Sequence, residues 1–201
     1  MEVLRAGTAT FEERYIPDFA RLREIVIRLK NEGHRIVLTQ GVFDLLHIGH
    51  ASYLNKAKEL GDVLIVGVDS DALARRRKTP NRPIVPQDER VRLLSHLRSV
   101  DIVTLRDTEQ EINELVRIVR PDVLIASETT KDFPWQALKP IEALCGKIVR
   151  LPAQATTSTT ERIRRLEIDG VDLLAQRVAD ALPEHLREVL PSIIERIRNS
   201  P

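Results

Sequence analysis

The sequence predicts an α/β fold: a Rossmann-like parallel sheet of about five strands with helices on both faces, plus a helical appendage at the C-terminal end. Three features carry this prediction. Short apolar, β-branched runs read as buried strands, and they alternate with segments whose apolar residues repeat at helical spacing. The alternation is regular, as successive βα units require. Beyond Gly170 the strand-like runs stop while the amphipathic pattern continues.

Residues 1–18 show no clean period and are expected to form a loosely attached N-terminal arm, ending at Ile16-Pro17-Asp18. From Phe19 to Lys30, Leu22, Ile25, Val26 and Leu29 fall at i, i+3, i+4 and i+7, a helical stripe that ends near Gly33. Arg35–Thr39 reads as a buried strand, and Gly41–His50 is the loop after it. A helix from about His50 to Leu60 stops at Gly61, and Asp62–Asp69 is the second strand. Together these form a βαβ unit of about thirty-five residues.

Residues 70–86 are rich in Arg, Lys and Pro and read as a long loop, with a short helical turn at Leu73 and Ala74. Loops of that length in compact domains are usually functional. A helix from Gln87 to about Arg98, a strand Asp101–Leu105 and a helix Glu109–Val119 follow, the last broken by Arg120-Pro121-Asp122. Strand Val123–Ala126, a region around Trp135 with a helix to about Leu144, and strand Lys147–Leu151 complete the core. Thr156–Thr160 would cap a helix Glu161–Leu166. The domain therefore runs over residues 19–166, and residues 167–201 form the helical extension. Its stripe of Leu186, Val189, Leu190, Ile193, Ile194 and Ile197 is interrupted by Pro191, and it suits either its own core or a second subunit in a homodimer.

A chain of 201 residues suffices for one domain with appendages. At 42% apolar and 30% charged residues, the composition is that of a soluble globular protein, and 3% aromatics leave the core to aliphatic side chains. With 31 basic and 30 acidic residues, the net charge of +1 gives no reason to expect a nucleic-acid partner. The longest strongly apolar run, Val63–Val68, is far too short to span a bilayer, and the N-terminal residues do not resemble a secretory signal. The single cysteine, Cys145, cannot form an internal disulfide, so a cytoplasmic protein with no membrane partner is expected.

Chemistry is expected at Gly41-Val42-Phe43-Asp44-Leu45-Leu46-His47-Ile48-Gly49-His50. Strand, glycine-containing loop, then helix is the arrangement that phosphate sites use. The stretch could be a core turn with two surface histidines, a metal pair on one helical face, or a polyphosphate site. A metal pair needs a further ligand, and His34, His96 and His185 offer no supporting spacing, so no metal is assigned to protein side chains. Imidazole N–H groups can donate to phosphoryl oxygens, and the spacing lets His47 and His50 face one ligand. Gly49 keeps the backbone clear for close approach. The Arg75–Pro83 loop reads as a solvated basic turn or a nucleic-acid patch, the latter disfavoured by balanced charge and few aromatics. Ser158–Thr160 reads as a helix cap, which is compatible with phosphate binding at the same helix start.

Phe43-Asp44-Leu45-Leu46-His47-Ile48-Gly49-His50 also resembles the signature of the nucleotidylyltransferase superfamily, the cytidylyltransferase-like enzymes that share an H-x-G-H motif. Ser158-Thr159-Thr160 followed by Ile163 is similar to the S-[ST]-T-x-x-I segment that closes the nucleotide site in that family. Lys78 and Arg82-Pro83 resemble its K-G-x-x-R-P element, and Arg90 matches a recurrent arginine. The likeness covers residues 20–166. It is closest to the heptose 1-phosphate adenylyltransferase domain of ADP-heptose synthesis, with glycerol-3-phosphate cytidylyltransferase further away.

The resemblance implies in-line attack of a substrate phosphate oxygen on the α-phosphate of a nucleoside triphosphate, with loss of pyrophosphate and with Mg²⁺ carried on the nucleotide phosphates. It implies catalytic roles for His47, His50 and Lys78. It assigns nucleotide contacts to Gly41, Val42, Phe43, Asp44, Gly49, Arg90, Ser158, Thr159 and Thr160, and contacts with the second substrate to Asp69 and Arg82. The expected reaction is transfer of AMP from ATP to a small phosphorylated metabolite such as a heptose 1-phosphate. The alternatives are a cytidylyltransferase acting on a polyol phosphate such as glycerol 3-phosphate, and a catalytically silent nucleotide-binding regulatory protein.

Departures from the family pattern bear on the acceptor. Thr79 stands where the basic loop has glycine, and Gln40 stands where heptose-type enzymes have asparagine. Ala126-Ser127-Glu128-Thr129 replaces a lysine-glycine segment, and Ala153 occupies the place of an arginine of the glycerol-phosphate enzymes. Acceptor specificity is therefore expected in Ser70–Pro86 and Ser127–Trp135.

Overall fold

The computed structural model describes residues 9–77, 81–110, 113–128, 141–155 and 159–181, with Ser192 and Glu195; the side chains of residues 175, 179 and 181 lie outside this description. The chain divides into two compact units, Met1–Thr156 and Thr157–Pro201.

The first unit is built on five parallel strands: β1 Ile36–Gly41, β2 Val63–Asp69, β3 Ile102–Arg106, β4 Val123–Ser127 and β5 Lys147–Leu151. Their spatial order is β3-β2-β1-β4-β5. Every residue of β2 is buried, which is why Val-Leu-Ile-Val-Gly-Val-Asp shows no polar alternation: parallel strands covered on both faces are apolar throughout. Helices α1 Phe11–Arg14, α2 Phe19–Asn31, α3 Ile48–Lys58, α4 Asp71–Arg77, α5 Gln87–Ser95 and α6 Glu114–Val119 accompany the sheet. On one face, Leu22, Ile25, Val26 and Leu29 of α2 and Leu115, Val116 and Val119 of α6 pack with Ile36, Leu38, Val63 and Ile65. On the other, Leu54 and Ala57 of α3 and Val91 and Leu94 of α5 pack with Val37, Leu64, Val66 and Val68. The predicted two-faced parallel sheet is therefore present.

Three local expectations are corrected. The N-terminal arm is docked over its described part: Ile16 donates its N–H to the Val103 carbonyl at 2.8 Å, and the buried Arg14 guanidinium donates to the carbonyls of Ser95 and Val100 at 2.9 Å. Residues 71–77, expected as loop apart from one turn, are helical as α4. Ser70 caps this helix by accepting the Leu73 N–H at 3.0 Å, and the Gln87 side chain accepts the Asp71 N–H at 2.9 Å. Arginine-rich composition hid a helix whose start is satisfied from outside it. Helix α3 begins at Ile48, so His50 lies in its first turn and His47 is the N-cap.

The second unit contains α7, Thr159–Ala181, which runs on past the predicted end at Leu166 and through Gly170. A glycine inside a helix costs only about 1 kcal/mol, too little to end it. Along α7, Leu166, Leu173, Leu174 and Val178 are exposed. Among the described residues, no helix is long and apolar enough to cross a membrane. The region around Trp135, and all six residues of the stripe from Leu186 to Ile197, lie outside the described residues.

Candidate functional site

The chain leaves β1 toward β2 on one side and returns to β4 on the other, so the C-terminal end of β1 is where the strand order reverses. Open α/β sheets bind ligands at such a point. The stretch Gly41–His50 leaves β1 there.

Its backbone is unusual. Phe43 and Leu45 have positive φ values of 53° and 44°, a left-handed conformation that side chains with a Cβ avoid. Such residues cost of the order of 1–3 kcal/mol each and persist only where surroundings over-determine them. Asp44, between them, supplies that hold. Its buried carboxylate accepts the N–H groups of Ile84 and Val85 at 3.0 Å and is paired with Arg82 Nη1 at 2.9 Å. The Phe43 ring is buried, and a Cβ at Gly41 would stand 3.3 Å from it, so Gly41 makes room for that ring. The Val42 carbonyl accepts from Arg90 Nη1 at 2.5 Å. Phe43 and Asp44, assigned nucleotide contacts, thus direct their side chains into the protein. Arg82, assigned to the second substrate, ties the basic loop to Asp44.

At the tip, His47 caps α3 with its own ring: Nδ1 accepts the Gly49 N–H at 3.0 Å. A ring nitrogen that accepts a hydrogen bond carries no proton, so the neutral imidazole holds its proton on Nε2 as a donor. His50 N–H donates to the His47 carbonyl at 2.9 Å. Three N–H groups of the first helical turn, those of Gly49, His50 and Ala51, are therefore engaged by His47, and the site's donors are imidazoles more than backbone. The His47 and His50 rings lie with centroids 4.1 Å apart, and Phe43 flanks His50 at 5.7 Å. Gly49 is required by this arrangement, because a Cβ there would stand 2.7 Å from His47 Cε1 and 3.1 Å from the Ala155 Cβ. The glycine clears space for the folded-back imidazole.

One turn along α3, the Tyr53 hydroxyl and Thr39 Oγ1 lie 2.7 Å apart, fixing the helix to β1 beside the reversal point. Burial pushes the Tyr53 phenol up to about 12, with the Thr39 hydrogen bond opposing weakly. The ordinary phenol value is 10.0, so Tyr53 contributes stability that is fully present below that pH and is lost as pH rises toward about 12. Tyr53→Phe is expected to remove this part of the alkaline slope in urea unfolding and to cost about 1 kcal/mol at neutral pH. An unchanged slope would refute the assignment.

Behind the loop lies a charged cluster at the strand ends. Asp69, the last residue of β2, is 1% exposed; Arg106 Nε donates to its Oδ1 at 3.0 Å and Arg77 Nη1 to its Oδ2 at 3.0 Å. Asp69, expected to meet the second substrate, has its carboxylate engaged by two arginines. Burial lowers the Arg106 guanidinium from its usual range, and Asp69 opposes that shift. Arg90 is 1% exposed and donates to the carbonyls of Val85 at 2.9 Å, Val42 at 2.5 Å and Asp69 at 2.8 Å, and to the Asp71 carboxylate at 2.7 Å. Arg90, expected at the nucleotide, is in the structure a clamp joining the loop, β2, α4 and the segment before α5.

Lys78 and Ser158 lie outside the described residues. Thr159 and Thr160 open α7 in the second unit. Sequence reasoning missed Arg77, Arg106, Thr39 and Tyr53 as parts of this end of the sheet. Asp69 and Arg106 end neighbouring strands and face each other in register, a relation that appears only once the pairing is known. Among the described residues, no group of three or more His, Cys, Asp or Glu side chains could hold a metal ion.

Comparison with known proteins agrees with this geometry. A family model described as cytidylyltransferase-like matches residues 38–167. The chain is 44% identical over 156 residues to the bifunctional protein HldE of Nitratiruptor sp., covering 76% of this chain and 32% of that protein. It is 39% identical over 150 residues to HldE of Cronobacter sakazakii, covering 74% and 31%. The chain thus spans about a third of the length of these curated relatives. Among solved structures, a lipopolysaccharide core biosynthesis protein from Thermoplasma volcanium superposes with TM-score 0.54 at 36% identity, covering 60% of this chain and 98% of that one. A pantoate-beta-alanine ligase from Francisella tularensis, 18% identical, superposes with TM-score 0.56 over 91% of this chain and 85% of its own, which shows shared fold alone. With the family model spanning well over half its length and the His47–His50 motif at the reversal point of the sheet, the chain belongs to the cytidylyltransferase-like family of nucleotidylyltransferases.

Proposed function

We propose that this chain transfers AMP from ATP to a small phosphorylated metabolite, a sugar 1-phosphate such as a heptose 1-phosphate, and releases pyrophosphate. The observation that carries the reading is the paired imidazoles of His47 and His50, 4.1 Å apart at the start of α3, with the His47 proton held on Nε2. The relatives named HldE and the resemblance to the heptose 1-phosphate adenylyltransferase domain support adenylyl over cytidylyl transfer.

In this reaction a phosphate oxygen of the acceptor forms a bond to the α-phosphorus while the bond to pyrophosphate breaks, and no enzyme-bound covalent intermediate is needed. Catalysis is then positioning and stabilisation of charge on the phosphoryl oxygens. His47 Nε2–H and the His50 imidazole donate to those oxygens, in the positive field at the start of α3. Lys78, Ser158, Thr159 and Thr160 are proposed as further phosphate contacts from their motifs alone. Mg²⁺ carried on the nucleotide phosphates would supply charge neutralisation at the departing pyrophosphate. Asp44 and Asp69 are committed to protein donors, which fits a metal carried by the nucleotide's own phosphates. The proposed reaction is a cytoplasmic one.

The test is pyrophosphate release with ATP or CTP against a panel of sugar 1-phosphates and polyol phosphates. Turnover with ATP and a sugar 1-phosphate is expected. Preference for CTP with glycerol 3-phosphate would replace the reading by the cytidylyl one. Tight nucleotide binding with no turnover on any acceptor would sink both.

A further inference from the structure

We infer that the carboxamide of Gln40 is a specificity-determining donor for an oxygen of the second substrate, held in one orientation by the buried Asp69–Arg106 pair. This rests on the nucleotidylyl-transfer reading above. Gln40 is the penultimate residue of β1, directly before the loop that carries the histidines, and it is half-buried. Arg106 ends β3, two strands away, yet its Nη1 donates to Gln40 Oε1 at 2.6 Å.

The reach is possible because Gly67 of β2, in register with Gln40, has no side chain. A Cβ there would stand 3.3 Å from Arg106 Cδ, 3.4 Å from Gln40 Cγ and 2.5 Å from Leu115 Cδ2. Arg106 and Gln40 thus meet over a gap left open in the intervening strand. A guanidinium only donates, so the amide atom it meets must be the oxygen. The two Nε2 hydrogens are therefore directed away from Arg106. Asp69 fixes the guanidinium in turn through Nε and Nη2, and itself is braced by Arg77. The Gln40 amide is thus a neutral, pre-oriented donor at the C-terminal end of β1, where this sheet order places ligands. Such a donor suits an acceptor oxygen, either a hydroxyl or a phosphoryl oxygen, and an oriented, half-buried amide discriminates against ligands that leave it unpaired.

The experiment is steady-state kinetics of the full chain with ATP and the sugar phosphate that wild type turns over fastest. Gln40→Glu keeps an oxygen toward Arg106 and deletes the donor. The acceptor KM is expected to rise about tenfold or more, while the ATP KM moves far less. Arg106→Met frees the amide to rotate and raises the acceptor KM several-fold; Arg106→Lys, again donor-only but without the fork that also holds Asp69, recovers part of the loss. Deoxy sugar phosphates identify the oxygen. If one hydroxyl is the partner, its deoxy analogue has the same KM with wild type and Gln40→Glu; if a phosphoryl oxygen is, every acceptor loses by the same factor.

An acceptor KM unchanged in Gln40→Glu overturns the inference, as does an equal loss toward both substrates, which would mark a merely structural residue. Should Arg106→Met fail to fold by circular dichroism, Gln40→Glu decides the matter alone. A wild type that turns over no acceptor removes the nucleotidylyl reading itself, and this inference with it.

Discussion

His47→Ala is expected to lower pyrophosphate release by about two orders of magnitude or more, and His50→Ala to do likewise. The imidazole of His47 has two separable jobs. Nδ1 caps α3 by accepting the Gly49 N–H, and Nε2 carries the proton that meets phosphoryl charge. Loss of a cap alone costs about 1 kcal/mol of stability and leaves chemistry intact. His47→Asn separates the two, because a short side-chain carbonyl can accept the Gly49 N–H but puts no donor where Nε2 stands. The expected pattern is a melting temperature near wild type in His47→Asn with turnover as low as in His47→Ala. His50 packs between the His47 and Phe43 rings, so His50→Ala should cost turnover more than stability. Measured kcat values near wild type in both alanine variants would refute the assigned chemistry.

Much of the fold was legible because it follows from local rules. A strand buried on both faces must be a short continuous apolar run, and Val63–Val68 could be little else. The stripe at Leu22, Ile25, Val26 and Leu29 likewise dictates which face of α2 is buried. What escaped was held by polar contacts between distant residues. Arg14 anchors the N-terminal arm through carbonyls at Ser95 and Val100, more than eighty positions away, and no periodicity announces that. Helix α4 is held at its start by Gln87, sixteen positions on, so its basic sequence reads as loop in isolation.

The same distinction divides the candidate site. His47, Gly49 and His50 interact within three positions of each other, and their spacing alone brought them together. Even there the role of Gly49 shifted: the sequence suggests room for a ligand, whereas the geometry shows room for the His47 ring. Ligand contacts for Asp69, Arg82 and Arg90 come from the family resemblance, which says nothing of their protein partners. Their partners are other charged and backbone groups on neighbouring strands and loops. Strand register decides this, since Asp69 stands opposite Arg106 only once β2 and β3 are paired.

Arg90 carries the largest expected effect on stability. Arg90→Ala should destabilise the first unit by about 3–5 kcal/mol, the range for breaking a buried charged network by deleting one member. The side chain joins four segments: the loop at Val42, the end of β2 at Asp69, the start of α4 at Asp71 and the chain at Val85. Deletion leaves three carbonyls and a carboxylate without this donor, at about 1–3 kcal/mol for each group that water cannot reach. Arg90→Lys should recover little, because one ammonium cannot reproduce a planar fork directed at partners on four segments. The loop that Arg90 secures at Val42 also carries the histidines, so the variants should lose turnover alongside stability even where ATP still binds. A direct nucleotide ligand would behave in the opposite way, with stability near wild type and a raised ATP KM. Urea unfolding and ATP titration on the same samples separate the two, and an Arg90→Ala protein within about 0.5 kcal/mol of wild type would refute the clamp, because substitutions at positions without structural duty fall in that range.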